Sequence, residues 1–213
     1  MSAHAEAALH GGEHHGPPAA NQSSRIASVT LGMFLFIGTE AMLFGSFFTA
    51  YFFVRVVNPG ATIITPEKWA VWPPLPYEFP VFVAGINTCI LVTSSFTMHW
   101  ALQSLKRGNR AGMKAGLVLT ILMGLAFLLT QMIEYAHVGF NMSDGAFASV
   151  FFGLTGLHGA HVLIGLILLT IAATRAFRGH FSPEHHHGLE LPGIYWHFVD
   201  VMWIVVYVTV YLL

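Results

Sequence analysis

Residues 188–213 read GLELPGIYWHFVDVMWIVVYVTVYLL, and this stretch decides the fold. About 20 consecutive apolar residues are enough for a helix to cross the hydrocarbon core of a bilayer. The run is that long, yet it contains Trp196, His197 and Asp200. An ionisable group at the centre of a membrane helix costs about 2.5–3.5 kcal/mol on insertion scales, so such groups usually face protein or a polar cavity. The stretch therefore predicts a transmembrane helix with a polar face turned towards protein.

The rest of the chain repeats this apolar character. Of its 213 residues, 55% are hydrophobic and only 9% are charged, whereas soluble domains carry about 25% charged residues. The five apolar runs lie at about 26–54, 79–105, 114–136, 147–174 and 190–213. They predict an all-α, polytopic membrane protein, a bundle of five transmembrane helices. The single cysteine excludes a disulfide framework, and the net charge of −1 gives no basic surface for nucleic acid.

The placement of lysine and arginine predicts the orientation. Seven of the nine basic residues fall on one side of the five runs, and only Arg55 and Lys68 fall on the other. Because basic loops stay in the cytoplasm, we expect a cytoplasmic amino terminus and an outside carboxyl terminus. Residues 1–24 are rich in His, Ala, Gly and Pro and are predicted to be a disordered cytoplasmic tail. Residues 25–213 form the transmembrane domain.

Glu40 stands near the middle of the first run. A lone carboxylate is costly at that depth, so Glu40 is expected to be protonated or held by a polar partner. One interpretation makes it part of a proton or gas pathway, or a group that faces lipid. The other makes it a buried structural carboxyl that fixes the register of two helices. The residue alone favours neither.

His158 and His161 lie three residues apart in the fourth run, which places both imidazoles on one face of a helix. They are candidate metal or haem ligands, or hydrogen-bonding groups between helices. We favour hydrogen bonding, because no run of Cys or His supplies further ligands at that depth. Glu134, near the outer end of the third run, is either a boundary charge or a contact with a partner subunit.

His99 and His197 lie at similar depth on two different runs, as bis-histidine ligation of a haem requires. This pair raises the alternative of a haem-b membrane anchor. A simpler interpretation puts His99 at the membrane interface beside Trp100, and lets His197 hydrogen-bond Asp200 along one helical face.

An ordered set of short motifs runs along the chain. They are EAMLF at 40–44, WPP at 72–74, NT at 87–88, SS at 94–95, Gln131 with Glu134-Tyr135, SDG at 143–145, TGLHGAHV at 155–162, His185-His186 with Gly188 and Glu190, and YWHFVD at 195–200. In order and spacing the set resembles subunit III of the haem–copper terminal oxidases, the cytochrome c oxidase subunit 3 family. The resemblance covers about residues 26–213.

The resemblance implies an accessory subunit that has no catalytic residue, haem or copper of its own. The redox centres lie in its partners, subunit I and subunit II, which take electrons from cytochrome c and reduce O2 to water in the respiratory chain. The subunit supports assembly, proton uptake and sustained turnover, and it binds phospholipid. Glu40 resembles the buried glutamate of the family. The lipid-binding candidates are Arg175, Arg178 and Trp196.

Longer members of the family have seven helices, so this chain resembles the shorter bacterial type, in the inner (plasma) membrane. The five-helix form also occurs in quinol oxidases, which remain an alternative. A small proton-coupled transporter that uses Glu40 is more distant. Such a transporter needs a helix broken at the midplane, and no proline is expected to interrupt a predicted span.

Overall fold

A computed structural model describes residues 28–56, 81–181 and 187–213. The helices are α1 (Ser28–Val56), α2 (Val81–Lys106), α3 (Arg110–His137), α4 (Ala146–Phe177) and α5 (His187–Tyr207). α5 continues as a π-helical turn, Val208–Leu212. Each of the five is long and apolar enough to cross a membrane, and the described residues contain no strand. The prediction of an all-α bundle of five transmembrane helices is confirmed, whereas the predicted tail at 1–24 lies outside the described residues.

Three helices begin earlier than the predicted runs at 114–136, 147–174 and 190–213. α3 begins at Arg110, because the Asn109 side chain accepts a hydrogen bond from the Gly112 N–H at 2.9 Å and so caps the helix. α4 begins after Gly145 without a side-chain cap. α5 begins at His187 and contains Pro192, which already falls within the predicted run 190–213. The expectation that no proline lies within a span is therefore wrong, although Pro192 lies near one end of α5 rather than at its middle.

Four of the helices form a closed ring, and the fifth packs outside it. α2 packs against α3 and α5, and α4 also packs against α3 and α5, which closes the ring. α1 packs on the outside of this ring, against α4 and to a smaller extent α5. It is accordingly the least buried helix, with 6% of its most apolar window buried against 50% for α5. Most of the α1 surface is therefore open to lipid or to other protein.

The centre of the ring is built around Trp196 of α5. Its indole is buried and lies over two glycines of neighbouring helices. A Cβ atom at Gly124 of α3 would come within 2.5 Å of the ring, and one at Gly165 of α4 within 2.9 Å. Small residues let membrane helices approach closely, and van der Waals packing then drives their association. Gly124 and Gly165 therefore make the space that Trp196 fills.

Polar contacts at the helix ends agree with helices that cross in alternating directions. Lys106 at the end of α2 pairs with Glu190 at the start of α5, with 3.5 Å between Nζ and Oε1. At the other end of the bundle, the Arg55 guanidinium donates to the Leu213 carbonyl. The end of α2 with Lys106, the start of α3 with Lys114 and the end of α4 with Arg175 thus lie at the same end of the bundle.

Candidate functional site

Glu40 of α1 and His161 of α4 form a direct pair. Glu40 Oε2 lies 2.7 Å from His161 Nε2, and His161 Nδ1 lies 2.7 Å from the Leu157 carbonyl oxygen. A carbonyl can only accept, so Nδ1 carries a hydrogen and donates it. His161 Nε2 then either accepts a hydrogen bond from protonated Glu40 or, as an imidazolium, donates one to the carboxylate. Both arrangements have zero net charge, so a proton can move between the two groups without charging the membrane interior.

The pair lies in an aromatic setting between α1 and α4. The Phe44 ring is buried, and its centroid is 4.9 Å from the His161 ring and 6.4 Å from the Phe198 ring. The Glu40 side chain keeps 18% of its surface exposed, against 7% for His161. The sequence identifies both residues as candidates for a functional site but does not predict that they contact each other. The signal was an ionisable group at depth in each of two apolar runs, since such a group needs a partner.

His158 meets different neighbours from His161. It is completely buried, and its ring centroid lies 4.7 Å from Trp203 of α5 and 5.8 Å from Phe127 of α3. Neither ring nitrogen has a hydrogen-bond partner among the described residues. The three-residue spacing thus places one histidine towards α1 and the other inside the ring, so the two imidazoles do not share a partner.

The polar contacts between α5 and α2 include three hydrogen bonds between side chains. The Trp196 indole donates to Ser94 Oγ at 2.9 Å, and the Trp203 indole donates to Thr88 Oγ1 at 2.9 Å. Between them, His197 Nδ1 lies 3.1 Å from Ser95 Oγ. Trp196 is bonded to Ser94, whereas Trp203, further along α5, is bonded to Thr88, which comes earlier on α2. These bonds therefore fix the register of the antiparallel pair.

The other histidine and acid candidates are placed as follows. His99 Nε2 lies 3.5 Å from Gln103 Nε2 on its own helix. Asp200 is buried, and its Oδ1 has no hydrogen-bond partner among the described residues. The expected bond from His197 to Asp200 is not among the described hydrogen bonds, since His197 bonds Ser95 instead.

Glu134 is buried near the end of α3, and it is held by the last turn of the chain. The Tyr211 hydroxyl donates to Glu134 Oε1 at 3.1 Å. Tyr211 belongs to the π-helical turn Val208–Leu212, a local widening of the helix that is found frequently at functional sites. Nothing in the sequence predicts this turn, and so the contact between α5 and α3 could not be predicted either.

Comparison of the sequence with known proteins places the chain in a family. The model of the family "Cytochrome c oxidase subunit III" matches residues 7–213. The chain belongs to the cytochrome c oxidase subunit III family. The chain is 41% identical to cytochrome c oxidase subunit 3 of Oryctolagus cuniculus, over 84% of this chain and 67% of the relative. It is 38% identical to the protein of that name from Squalus acanthias, over 93% and 72%.

In this member of the subunit III family, Arg175 is the lipid-binding candidate that lines a groove. A groove of about 300 Å³ runs between α1, α4 and α5, and its lining includes Met33, Ile171, Arg175 and Pro192. The guanidinium carbon of Arg175 lies 5.4 Å from the Phe181 ring centroid. A Cβ at Gly188 would lie 3.3 Å from Arg175 and 2.8 Å from Phe181, so a glycine there keeps the start of α5 close.

The other two lipid-binding candidates lie elsewhere. Arg178 is exposed at the C-cap of α4. Trp196 is buried inside the ring and hydrogen-bonded to Ser94. Among the described residues, no group of three or more His, Cys, Asp or Glu side chains comes together in a way that could hold a metal ion.

Proposed function

We propose that the chain is the accessory, non-redox subunit III of a haem–copper oxidase that takes electrons from cytochrome c and reduces O2 to water. The observation that carries the proposal is the family match over nearly the whole chain. The names of the relatives, cytochrome c oxidase subunit 3, favour cytochrome c over a quinol as the electron donor. In this proposal the haems and copper belong to subunits I and II, and this chain supports their assembly and sustained turnover.

We place the protein in a bacterial inner membrane with its amino terminus in the cytoplasm. The distribution of lysine and arginine supports that orientation. In this orientation the cytoplasmic end of the bundle carries the Lys106–Glu190 ion pair, Lys114 and Arg175. A carboxyl-terminal reporter that is found protected in the cytoplasm would contradict this orientation.

In this proposal the Glu40–His161 pair has a structural role, and its two side chains also share a proton. It holds the outer helix α1 against α4, at 2.7 Å between the two side chains. The Arg175 groove is lined by residues of α1, α4 and α5, so its width depends on where α1 lies. The Glu40 side chain is partly exposed and is therefore open to contact with a partner subunit, whereas His158 is enclosed by aromatic rings.

The Arg175 groove is the proposed phospholipid site of this function. An arginine forms strong, charge-assisted bonds with phosphate oxygens, and Arg175 stands where apolar lining gives way to the helix end. Arg178 lies three residues on and is exposed, so it can contact the same head group from outside the groove. A bound lipid would fill the space between α1 and the ring, which would stabilise the position of α1.

The test is purification through a tag on this chain in mild detergent, followed by a reduced-minus-oxidised spectrum and identification of the co-purified proteins. The proposal predicts that larger oxidase subunits co-purify and that the haem spectrum vanishes when they are stripped away. Haem that stays with the 23.3 kDa chain alone would contradict the proposal and favour a haem-b anchor that uses His99 and His197.

A further inference from the structure

A second groove with a cation at its rim lies on a different face of the ring. It has a volume of about 550 Å³ and runs between α2, α3 and α4. Its lining includes Trp100, Lys114, Val118, Leu119, Leu122 and Phe177. It shares no lining residue with the Arg175 groove. Both grooves lie towards the end of the bundle where α4 ends.

Lys114 is the charged residue in this lining, and its position is defined. Its Nζ lies 5.2 Å from the centroid of the Phe177 ring, a cation–π contact. Lys114 is partly buried, while Phe177 is exposed. A lysine in this setting packs its aliphatic stem on apolar surface and keeps its ammonium group at the polar boundary. Lys114 therefore marks the level at which the groove passes from apolar to polar surroundings.

Three of the α3 residues that line the groove, Lys114, Val118 and Leu122, follow each other in four-residue steps. Arg110 lies one step before Lys114 in the same row, and residues four apart lie on the same side of a helix. Arg110 is exposed at the first position of α3. From the helix end inwards the row thus presents two cations and then two apolar side chains.

The charges at the start of α3 lack compensation within the described residues. The N-terminus of a helix carries a partial positive charge, which favours acidic side chains and disfavours basic ones. The first turn of α3 contains no acidic residue. Glu190, at the same end of the bundle, pairs with Lys106, and no described ion pair involves Arg110 or Lys114. Arg110 and Lys114 therefore add two positive charges to the positive end of α3. An external anion would stabilise this arrangement.

We propose that this groove binds an anionic phospholipid. Lys114 and Arg110 bind its phosphate, Trp100 lies beside the glycerol region, and an acyl chain follows Val118, Leu119 and Leu122. The order of cations above apolar lining matches the order of head group and chain in a lipid. A free phosphate would match the cations alone and would leave the apolar length of the groove without an occupant.

This inference does not depend on the proposed oxidase function. It requires only that the chain lies in a membrane, and it involves no residue of the Arg175 groove. A failure of either proposal therefore leaves the other standing.

The test is native mass spectrometry of the complex purified through this chain, after reconstitution into bilayers of phosphatidylcholine and phosphatidylglycerol in equal parts. Lys114→Gln removes the cation of the groove, and Ala115→Trp fills the groove while leaving the charge unchanged. The matched control is Arg107→Gln, which removes a positive charge from the neighbouring exposed loop. Arg175→Gln separates this site from the other groove.

The proposal predicts that Lys114→Gln lowers the occupancy of one bound phosphatidylglycerol per complex about tenfold, as the loss of a charge-assisted phosphate contact would. Ala115→Trp should lower it as well, and Arg107→Gln should not. Arg175→Gln should leave this lipid in place, so Lys114→Gln should cause the same further loss when it is added to Arg175→Gln. Unchanged retention in Lys114→Gln would overturn the proposal. So would an equal loss in Arg107→Gln, which would indicate diffuse attraction, or displacement of the lipid by inorganic phosphate.

Discussion

Glu40 on the outer helix and His161 on the ring lie 2.7 Å apart, and this pair joins α1 to α4 inside the membrane. His161 is oriented by its second nitrogen, which donates to the Leu157 carbonyl of the preceding turn. The imidazole is thus held on its own helix before it meets the carboxyl. Substituting either partner leaves the other as an unpaired polar group at membrane depth.

A double-mutant cycle on Glu40→Ala and His161→Ala should measure this coupling directly. Interhelical polar contacts in membranes are worth about 0.6–2 kcal/mol, so we expect a coupling energy in that range in the free energy of unfolding of the full chain in mixed micelles. The control is Thr49→Ala on α1, whose hydroxyl bonds its own backbone at Gly45. Thr49→Ala should show no coupling to His161→Ala, and equal coupling for both pairs would contradict a direct interaction.

Two glycines of α4 give a matched test of the Trp196 packing. Gly165→Ala would put a Cβ 2.9 Å from the Trp196 ring, whereas nothing lies within 4 Å of a Cβ at Gly156. Overpacking costs about 1–3 kcal/mol, so Gly165→Ala should reduce the yield of assembled complex. Gly156→Ala should leave the yield unchanged. A loss of yield in both variants would mean that α4 tolerates no added volume anywhere.

The ring of His158 should matter for its shape rather than for its nitrogens. His158→Ala removes the tilted ring contact with Trp203 and leaves a cavity, and large-to-small changes in a core cost about 2–5 kcal/mol. His158→Phe fills the site with a ring that has no nitrogen. We expect stable assembly and normal oxygen consumption for His158→Phe, and weak assembly for His158→Ala. A stably assembled but inactive His158→Phe would instead show that an imidazole nitrogen takes part in function.

The contact from Tyr211 to Glu134 tests the π-helical turn. Tyr211→Phe removes the hydroxyl that donates to the buried carboxyl at 3.1 Å, so we expect a loss of about 1–2 kcal/mol in the free energy of unfolding. Tyr207→Phe is the matched control, because among the described residues its hydroxyl makes only a long, exposed contact of 3.4 Å with the Val81 carbonyl. Equal losses in the two variants would argue against a specific role for the Glu134 contact.

Sequence reasoning could reach the five helices because an apolar run of membrane length has few other structures available to it. It could also nominate Glu40, His158 and His161, since ionisable groups at that depth are rare. It could not pair Glu40 with His161, because 121 residues separate them and the pairing depends on which helices become neighbours.

Local geometry explains the remaining differences. The bond from His197 to Ser95 replaced the expected bond to Asp200 because the approach of α2 brought a hydroxyl within 3.1 Å of the ring. Trp196 was a lipid candidate by resemblance, yet two glycines on other helices admit its ring to the interior. The Lys114 groove depends on the way Phe177 of α4 lies beneath a lysine of α3, which no single helix pattern contains.

The most direct test of the central claim is the time course of oxygen consumption by the assembled oxidase that carries Glu40→Ala, compared with the unchanged complex at equal haem content. If this chain sustains turnover without performing the redox chemistry, the initial rate should match that of the unchanged complex. The variant should then lose activity after fewer turnovers, because α1 and its lipid groove are less well held. Loss of haem reduction from the first turnover, in a fully assembled complex, would contradict the account.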